Sequence, residues 1–164
     1  MSAPVDATLF RAAMARFPGA VTIVTTGTGP DRRGLTATAV CSVTADPPSL
    51  LVCLNRKTGT CAAITQRGHF NVNLLSDEGG QIALTFAGAQ GATGEAKFQT
   101  GDWLEDARGL PRLTTAVACF SCEVAESVEA GSHTMFIGRI IGIDQRERPA
   151  LLYEQSRFHR LAPV

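Results

Sequence analysis

The sequence predicts a mainly β fold, an antiparallel barrel carrying short helices at its ends. Three observations point there. Period-two alternation of apolar and polar residues recurs in runs of strand length, turn residues separate those runs, and helical periodicity is confined to a few short windows. No βαβ rhythm occurs and no Gly-x-Gly-x-x-Gly follows a strand, which sets aside a doubly wound nucleotide fold. With 164 residues the chain suits one domain over positions 1–164, large enough to bury a core without disulfides or metals.

In chain order, Asp6 is placed to cap a helix from about Ala7 to Arg16, in which Phe10, Met14 and Phe17 form one apolar stripe before Pro18-Gly19. The β-branched run Val21–Thr26 reads as a strand, and the breakers in Gly27–Arg33 turn it back as a hairpin. From Leu35 to Ala45 the odd positions are apolar or small and the even ones mostly carry hydroxyls (Thr36, Thr38, Ser42, Thr44), as in one half-buried strand. Asp46-Pro47-Pro48 breaks that ladder, and Ser49–Leu54, apolar on both faces, reads as a strand buried on both sides. A short helix is expected over Cys61–Gln66, then a strand over His69–Leu75 in which Phe70, Val72 and Leu74 alternate with Asn71 and Asn73. Ser76 is placed to cap a helix to about Ala87, with Asp77 and Glu78 in its first turn. Gly88–Thr115 has no sustained period, and a stretch of that length points to a functional or ordered surface loop, in position to cover a site. Alternation resumes over Ala116–Val128 and His133–Ile143, a second hairpin joined by Glu129-Ala130-Gly131-Ser132. A last short strand, Leu151–Tyr153, leads into Arg157-Phe158-His159-Arg160, for a total of about six or seven strands.

Fifteen basic residues balance fifteen acidic ones, so nothing resembles the electrostatic footprint of a nucleic-acid or anionic-membrane binder, and small molecules are the expected partners. No basic leader with an apolar run is present and no segment approaches the ~20 apolar residues of a membrane span, so a cytoplasmic location is expected. Five scattered cysteines, an odd number, read as reduced thiols and not as a disulfide framework. Cys119 and Cys122 fall within a predicted strand, where residues three apart face opposite ways, and lack the helix N-terminus that activates a redox dithiol.

The hydroxyl row at Thr36 and Thr38 has two readings, donors for the edge of a planar ring or polyol and decoration of a wet strand face. Asn55-Arg56-Lys57-Thr58-Gly59-Thr60 sets two cations and two hydroxyls before a helix start, where orphan N–H groups suit a phosphate; a solvated charged turn is the other reading. His69, His133 and His159 lie far apart, with no second His or Cys at ligand spacing and no nucleophile elbow, so neither a metal site nor a triad is expected. His133 opens a strand after a glycine turn, a place for a ligand contact and equally for an ordinary capping residue. Read residue by residue, the chain leads as far as a phosphate-bearing ligand.

The string Gly34-Leu-Thr-Ala-Thr-Ala-Val-Cys-Ser-Val-Thr44, continued by Pro47-Pro-Ser-Leu-Leu-Val-Cys-Leu-Asn55, resembles the short-chain flavin reductases that serve two-component monooxygenases, such as the reductase component of 4-hydroxyphenylacetate 3-monooxygenase. The likeness continues in Phe10-Arg11-x-Ala13-Met14, Val21–Thr26, Asn71-Val72-Asn73-Leu74, Gly131-Ser132-His133 and Arg157-Phe158-His159, in order along nearly the whole chain. The resemblance implies an FMN-binding split barrel, a homodimer with the flavin near the subunit interface, reduction of FMN or FAD by NADH or NADPH, and supply of reduced flavin to a separate monooxygenase. It also implies that Thr36, Ala37, Thr38, Ala39 and Val40 lie beside the isoalloxazine, that Asn55, Arg56, Thr58 and Thr60 belong to the phosphate segment, that Phe158 touches the cofactor, and that His133 positions the nicotinamide. Many relatives have Gly-Asp-His where this chain has Gly131-Ser132-His133, and a tyrosine at the place of Phe158. Hydride transfer from nicotinamide to flavin needs two stacked rings and stabilised charge, with no nucleophile or strong base. Two other functions fit the same likeness: an FMN-binding redox carrier or sensor without flavin turnover, and a flavin-dependent reductase of another acceptor such as a corrinoid.

Overall fold

A computed structural model describes residues 1–164. Its elements are α1 (Ala7–Met14), β1 (Gly19–Ala20), β2 (Thr22–Thr26), β3 (Arg33–Ala37), β4 (Val40–Ala45), β5 (Pro48–Asn55), α2 (Gly59–Arg67), β6 (His69–Leu74), α3 (Gly80–Phe86), β7 (Trp103–Glu105), β8 (Pro111–Leu113), β9 (Ala118–Ala130), β10 (His133–Gln145), β11 (Leu151–Glu154) and β12 (Arg157–Arg160). Single 3-10 turns occupy Gly29–Asp31 and Gly94–Gln99.

Seven strands form one antiparallel sheet in the order β3-β2-β6-β9-β10-β5-β4. β3 and β4 follow each other in the chain yet occupy opposite edges, joined only through Thr38 and Ala39. The step from Ala37 to Val40 can span at most roughly 11 Å, so the sheet must curl until its edges meet. Curling gathers Val24, Ala37, Val52, Leu54, Phe70 and Phe136 into one core with Cys61 and Ile64 of α2. Each fully buried Phe, Leu or Val there contributes roughly 1.5–3 kcal/mol relative to exposure. No ladder joins β3 to β4; beyond the end of β3 the Ala39 carbonyl accepts from Cys53 N at 3.0 Å. The barrel is therefore split along a seam between β3 and β5.

A second core covers the outside of the sheet. Val21, Ile23, Leu75 and Leu113 pack there with Phe86 of α3 and Phe98 of the long loop, and the rings of Phe86, Phe98 and Trp103 meet with centroids 5.0–5.2 Å apart. Asn73 ties the loop down: its Nδ2 donates to Ile23 O at 3.0 Å and its Oδ1 accepts from Leu113 N at 2.9 Å. The β9–β10 hairpin turns on Gly131 and Ser132, with Gly131 at φ +57°, a conformation that glycine adopts without strain.

Several sequence expectations are corrected. The single strand over Leu35–Ala45 is two strands, because the chain turns tightly at Thr38, whose carbonyl accepts from Val40 N at 2.9 Å. Most of β4 is exposed at the sheet edge, and β5 buries Leu50, Val52 and Leu54 while Leu51 and Cys53 stay half-buried. The third helix starts at Gly80, not after Ser76: Ser76 bridges Ala150, Asp77 N donates to Pro149 O, and the Asp77 carboxylate accepts from Arg160 at 2.9 Å. Gly88–Thr115 is ordered, holding a 3-10 turn and the β7–β8 pair. Twelve strands form in all, because short pieces such as β1, β7 and β8 carry too few residues for a period to show. Asp6 does cap α1, its Oδ2 accepting from Thr8 N at 2.8 Å and Leu9 N at 3.1 Å, but the Phe10, Met14 and Phe17 stripe is exposed and α1 buries none of its residues in this chain.

Candidate functional site

The seam opens into a cleft of about 380 Å³. One wall is β3 and its exit, Leu35, Thr36, Ala37, Thr38 and Ala39; opposite lie Cys53, Leu54 and Asn55 at the end of β5, then Thr58. Phe86, Ala87, Lys97 and His133 complete it. Gly34 lets the wall form, since a Cβ there would stand 2.8 Å from the ring of Phe86. A second cleft of about 330 Å³ shares Leu35, Thr58 and Lys97 with the first, so the two are continuous; it adds Arg33, Gly59, Thr60 and the loop glycines Gly88, Gly91 and Gly94. A third, of about 260 Å³, shares Thr36, Thr38 and Ala87 and is mostly apolar, with Tyr153 and Phe158 in its lining.

Local hydrogen bonding shapes the corner between β5 and α2. Asn55 Oδ1 accepts from Lys57 N at 2.9 Å, and the Asn55 carbonyl accepts from Thr58 Oγ1 at 2.8 Å. Thr58 caps α2, its Oγ1 accepting from Cys61 N at 3.2 Å. On the facing wall Thr36 Oγ1 donates to Ala83 O at 2.7 Å, so that hydroxyl is engaged by α3. The ring of His133 shares a hydrogen bond of 2.8 Å with Ser132 Oγ through Nδ1, and His133 stands opposite Asn55 in the β10–β5 ladder, which is how a residue from the far hairpin reaches the seam.

Electrostatically the clefts are one-sided. No Asp or Glu lines either the seam cleft or its neighbour. Lys97 Nζ donates to the carbonyls of Phe86 at 3.0 Å and Gly34 at 3.3 Å and has no carboxylate partner; burial pulls its pKa below the usual lysine value. Burial, reinforced by neighbouring Cys61, pushes the Cys53 thiol up and keeps it neutral. The Cys119 and Cys122 thiols are raised to about 12, chiefly by burial, which leaves them inert small hydrophobes. A half-buried cation facing only carbonyls suits an anionic ligand group.

Of the residues singled out in the sequence, the structure brings Thr36, Ala37, Thr38, Ala39, Asn55, Thr58 and His133 onto one cleft and places Thr60 in the continuous one. Phe158 stands in the third cleft, its ring 5.5 Å from that of Tyr153. Two residues are not brought there. Val40 packs against the core, and Arg56 turns away to pair with Glu129 at 2.8 Å. Lys97 and Arg33 were missed: one sits in the patternless loop and the other opens β3, and only tertiary folding sets them beside Thr58. The length of that loop was the one available signal.

A cleft at the seam of a split barrel, small-residued along one wall and continuous with a cationic pocket, has the character of a site for a ligand with an anionic group. The model of the flavin reductase like domain matches residues 14–162, and the chain belongs to that family. It is 40% identical over 159 residues to the reductase component of an FADH(2)-dependent resorcinol hydroxylase from Rhizobium sp., covering 94% of this chain and 87% of that protein. It is 39% identical over 154 residues to the FMN reductase (NADH) RutF of Ancylobacter novellus, covering 93% of this chain and 84% of the relative. The structure of the NADH:FAD oxidoreductase SgcE6 of Streptomyces globisporus superposes with a TM-score of 0.89 at 32% identity, covering 99% of this chain and 98% of that one.

Proposed function

We propose that this chain is an NAD(P)H-dependent flavin reductase, a single domain over residues 1–164 that reduces FMN or FAD and supplies the reduced flavin to a separate monooxygenase. The observation that carries the site is Lys97, a cation without a carboxylate at the junction of the seam cleft and the pocket beyond it. The flavin supplies the ring that accepts hydride from the nicotinamide. The protein's own part is to bind and orient. Leu35 to Ala39 and Cys53 to Asn55 wall the ring, the small side chains leaving room for a plane. Thr58 and Lys97 hold the phosphate at the seam and Thr60 stands in the continuous cleft beside the same anionic tail, with Lys97 giving the charge-assisted hydrogen bond for which its surroundings offer no other acceptor than carbonyls. His133 stands beside the ring to position the nicotinamide, and Ser132 fixes its orientation through Nδ1.

Homodimerisation is part of the same reading. Leu9, Phe10, Met14 and Phe17 leave an apolar face exposed at one place, and Val43, Ile141 and Ile143 do so on the β4 and β10 strands. No helix is long and apolar enough to cross a membrane, and none of the five cysteines is bridged, which agrees with a cytoplasmic site of action. The test is NADH oxidation by the purified protein with free flavin added. Saturable dependence of the rate on flavin is expected. Turnover indifferent to added flavin, or none, would leave a redox carrier in its place.

A further inference from the structure

We propose that the cleft beyond Lys97 receives the second phosphate of a flavin dinucleotide, which makes Arg33 a residue that selects FAD over FMN; this rests on the flavin being seated at the seam. The argument starts with two adjacent arginines. Arg32 is neutralised, paired with Glu95 at 2.8 Å and lying over the Phe98 ring at 4.8 Å. Arg33 has no carboxylate: its Nη1 donates to the carbonyls of Pro30 at 3.1 Å and Arg32 at 2.8 Å, and the remaining donors of its guanidinium have no protein acceptor. It lies beside Gly59 and Gly94, where an added Cβ would reach only ordinary van der Waals contact with it, 3.9 Å from Nε and 3.8 Å from Cζ.

Arg33 and Lys97 line the same cleft of about 330 Å³, with no acidic residue among its lining groups. Two like charges held in one cleft repel, and partial burial weakens the hydration that would screen them, so an anion between them relieves both costs. The division of labour follows from position. Lys97 also lines the seam cleft and so meets the phosphate nearest the ring, whereas Arg33 lines the further cleft and not the seam. A mononucleotide ends at Lys97 and Thr58. A dinucleotide carries a second phosphate onward, where the guanidinium presents its fork of donors. The nicotinamide donor belongs at the ring end beside His133, so the tail cleft falls to the flavin.

The test is titration of riboflavin, FMN and FAD into wild type, Arg33→Gln and Arg33→Lys by flavin fluorescence, with the KM for NADH measured at saturating flavin. Wild type is expected to bind FAD at least ten-fold more tightly than FMN. Arg33→Gln is expected to raise the Kd for FAD by about ten-fold or more, the scale of one lost charge-assisted hydrogen bond, with FMN changing less than two-fold and Arg33→Lys recovering part of the loss. Equal wild-type affinity for FMN and FAD overturns the proposal even where the variant fails to fold. So does equal loss of both flavins in Arg33→Gln, or a changed KM for NADH with FAD affinity intact, which would give the cleft to the donor's phosphates. Wild type that binds none of the three flavins would take down the reading of the seam and this proposal together, whereas riboflavin and FMN binding without FAD preference removes this one alone.

Discussion

Two polar regions of this molecule, one centred on the fully buried Thr25 and Asn71 and one on the half-buried Lys97 and Arg33, are finished differently. Under the long loop, Thr25 Oγ1 donates to Pro111 O at 2.6 Å, Asn71 Nδ2 donates to Asp106 Oδ2 at 3.0 Å, and Asp106 Oδ1 accepts from Arg108 N and Leu110 N. Burial by itself would raise the Asp106 pKa, but the hydrogen bonds from Asn71, Leu110 and Arg108, with the Arg108 charge, more than offset it and hold the carboxyl below its ordinary value. Among these groups only Asn71 Oδ1 and Arg108 Nη2 lack a partner. At the seam the balance runs the other way: Lys97 and Arg33 keep their charges with carbonyls alone for company. A carboxylate held by several donors marks the region that builds the fold, and cations without a carboxylate mark the region that suits an anionic ligand.

The largest expected effect falls on the finished region. Asn73→Ala strands Leu113 N and Ile23 O without their partner, and should cost roughly 3 kcal/mol or more of stability by urea unfolding; a loss under about 1 kcal/mol would show that the network is dispensable. Lys97→Gln should leave stability nearly intact while weakening FMN by about ten-fold or more and riboflavin hardly at all. Its pH dependence sharpens the contrast. Because the folded pKa of Lys97 lies below the unfolded one, the free native protein loses this proton first, and stability rises with pH across the window between the two values. Phosphate binding favours the protonated lysine, so FMN affinity should decline relative to riboflavin as pH climbs through that lowered pKa. A flat ratio would remove Lys97 from the phosphate.

His133→Ala is expected to raise the KM for the nicotinamide by roughly ten-fold while leaving flavin affinity nearly unchanged, read by stopped-flow reduction of bound flavin. Unaltered nicotinamide kinetics would make the histidine a mere strand residue. The smallest effect belongs to Arg56→Ala, which removes an exposed pair with Glu129: at most ~1 kcal/mol of stability and no preferential loss of FMN. A selective loss of FMN would return Arg56 to the phosphate.

Alternation made the hairpins and the strands β2, β6, β9 and β10 legible to within a few residues. It could not reveal the break at Thr38, because small residues carry the period straight through the turn that sends the chain from one sheet edge to the other. Asn71 and Asn73 alternate with apolar residues in the sequence and are nonetheless fully buried, since a loop some forty positions onward folds over them. At the site, the segments Thr36–Ala39 and Asn55–Thr60 and the residue His133 were within reach because each is local in sequence. Arg56 was misleading for the same reason: neighbours along the chain need not share a cleft, and its guanidinium found Glu129 across the β9–β10 hairpin. Lys97 and Arg33 bear no local signature, only a shared position that the folded chain creates.

Helix α1 buries none of its residues and is tied to the body by a single backbone bond at its end, Ala15 O accepting from Gln155 N at 2.9 Å. Eight residues with one cap are marginal as a helix in water. For the proposed homodimer, its amides are expected to exchange readily with deuterated solvent in a lone protomer and to slow where a second subunit covers the exposed Leu9, Phe10 and Met14. The exchange rate of this one segment, followed on dilution, is thus a gauge of subunit association that needs neither flavin nor turnover.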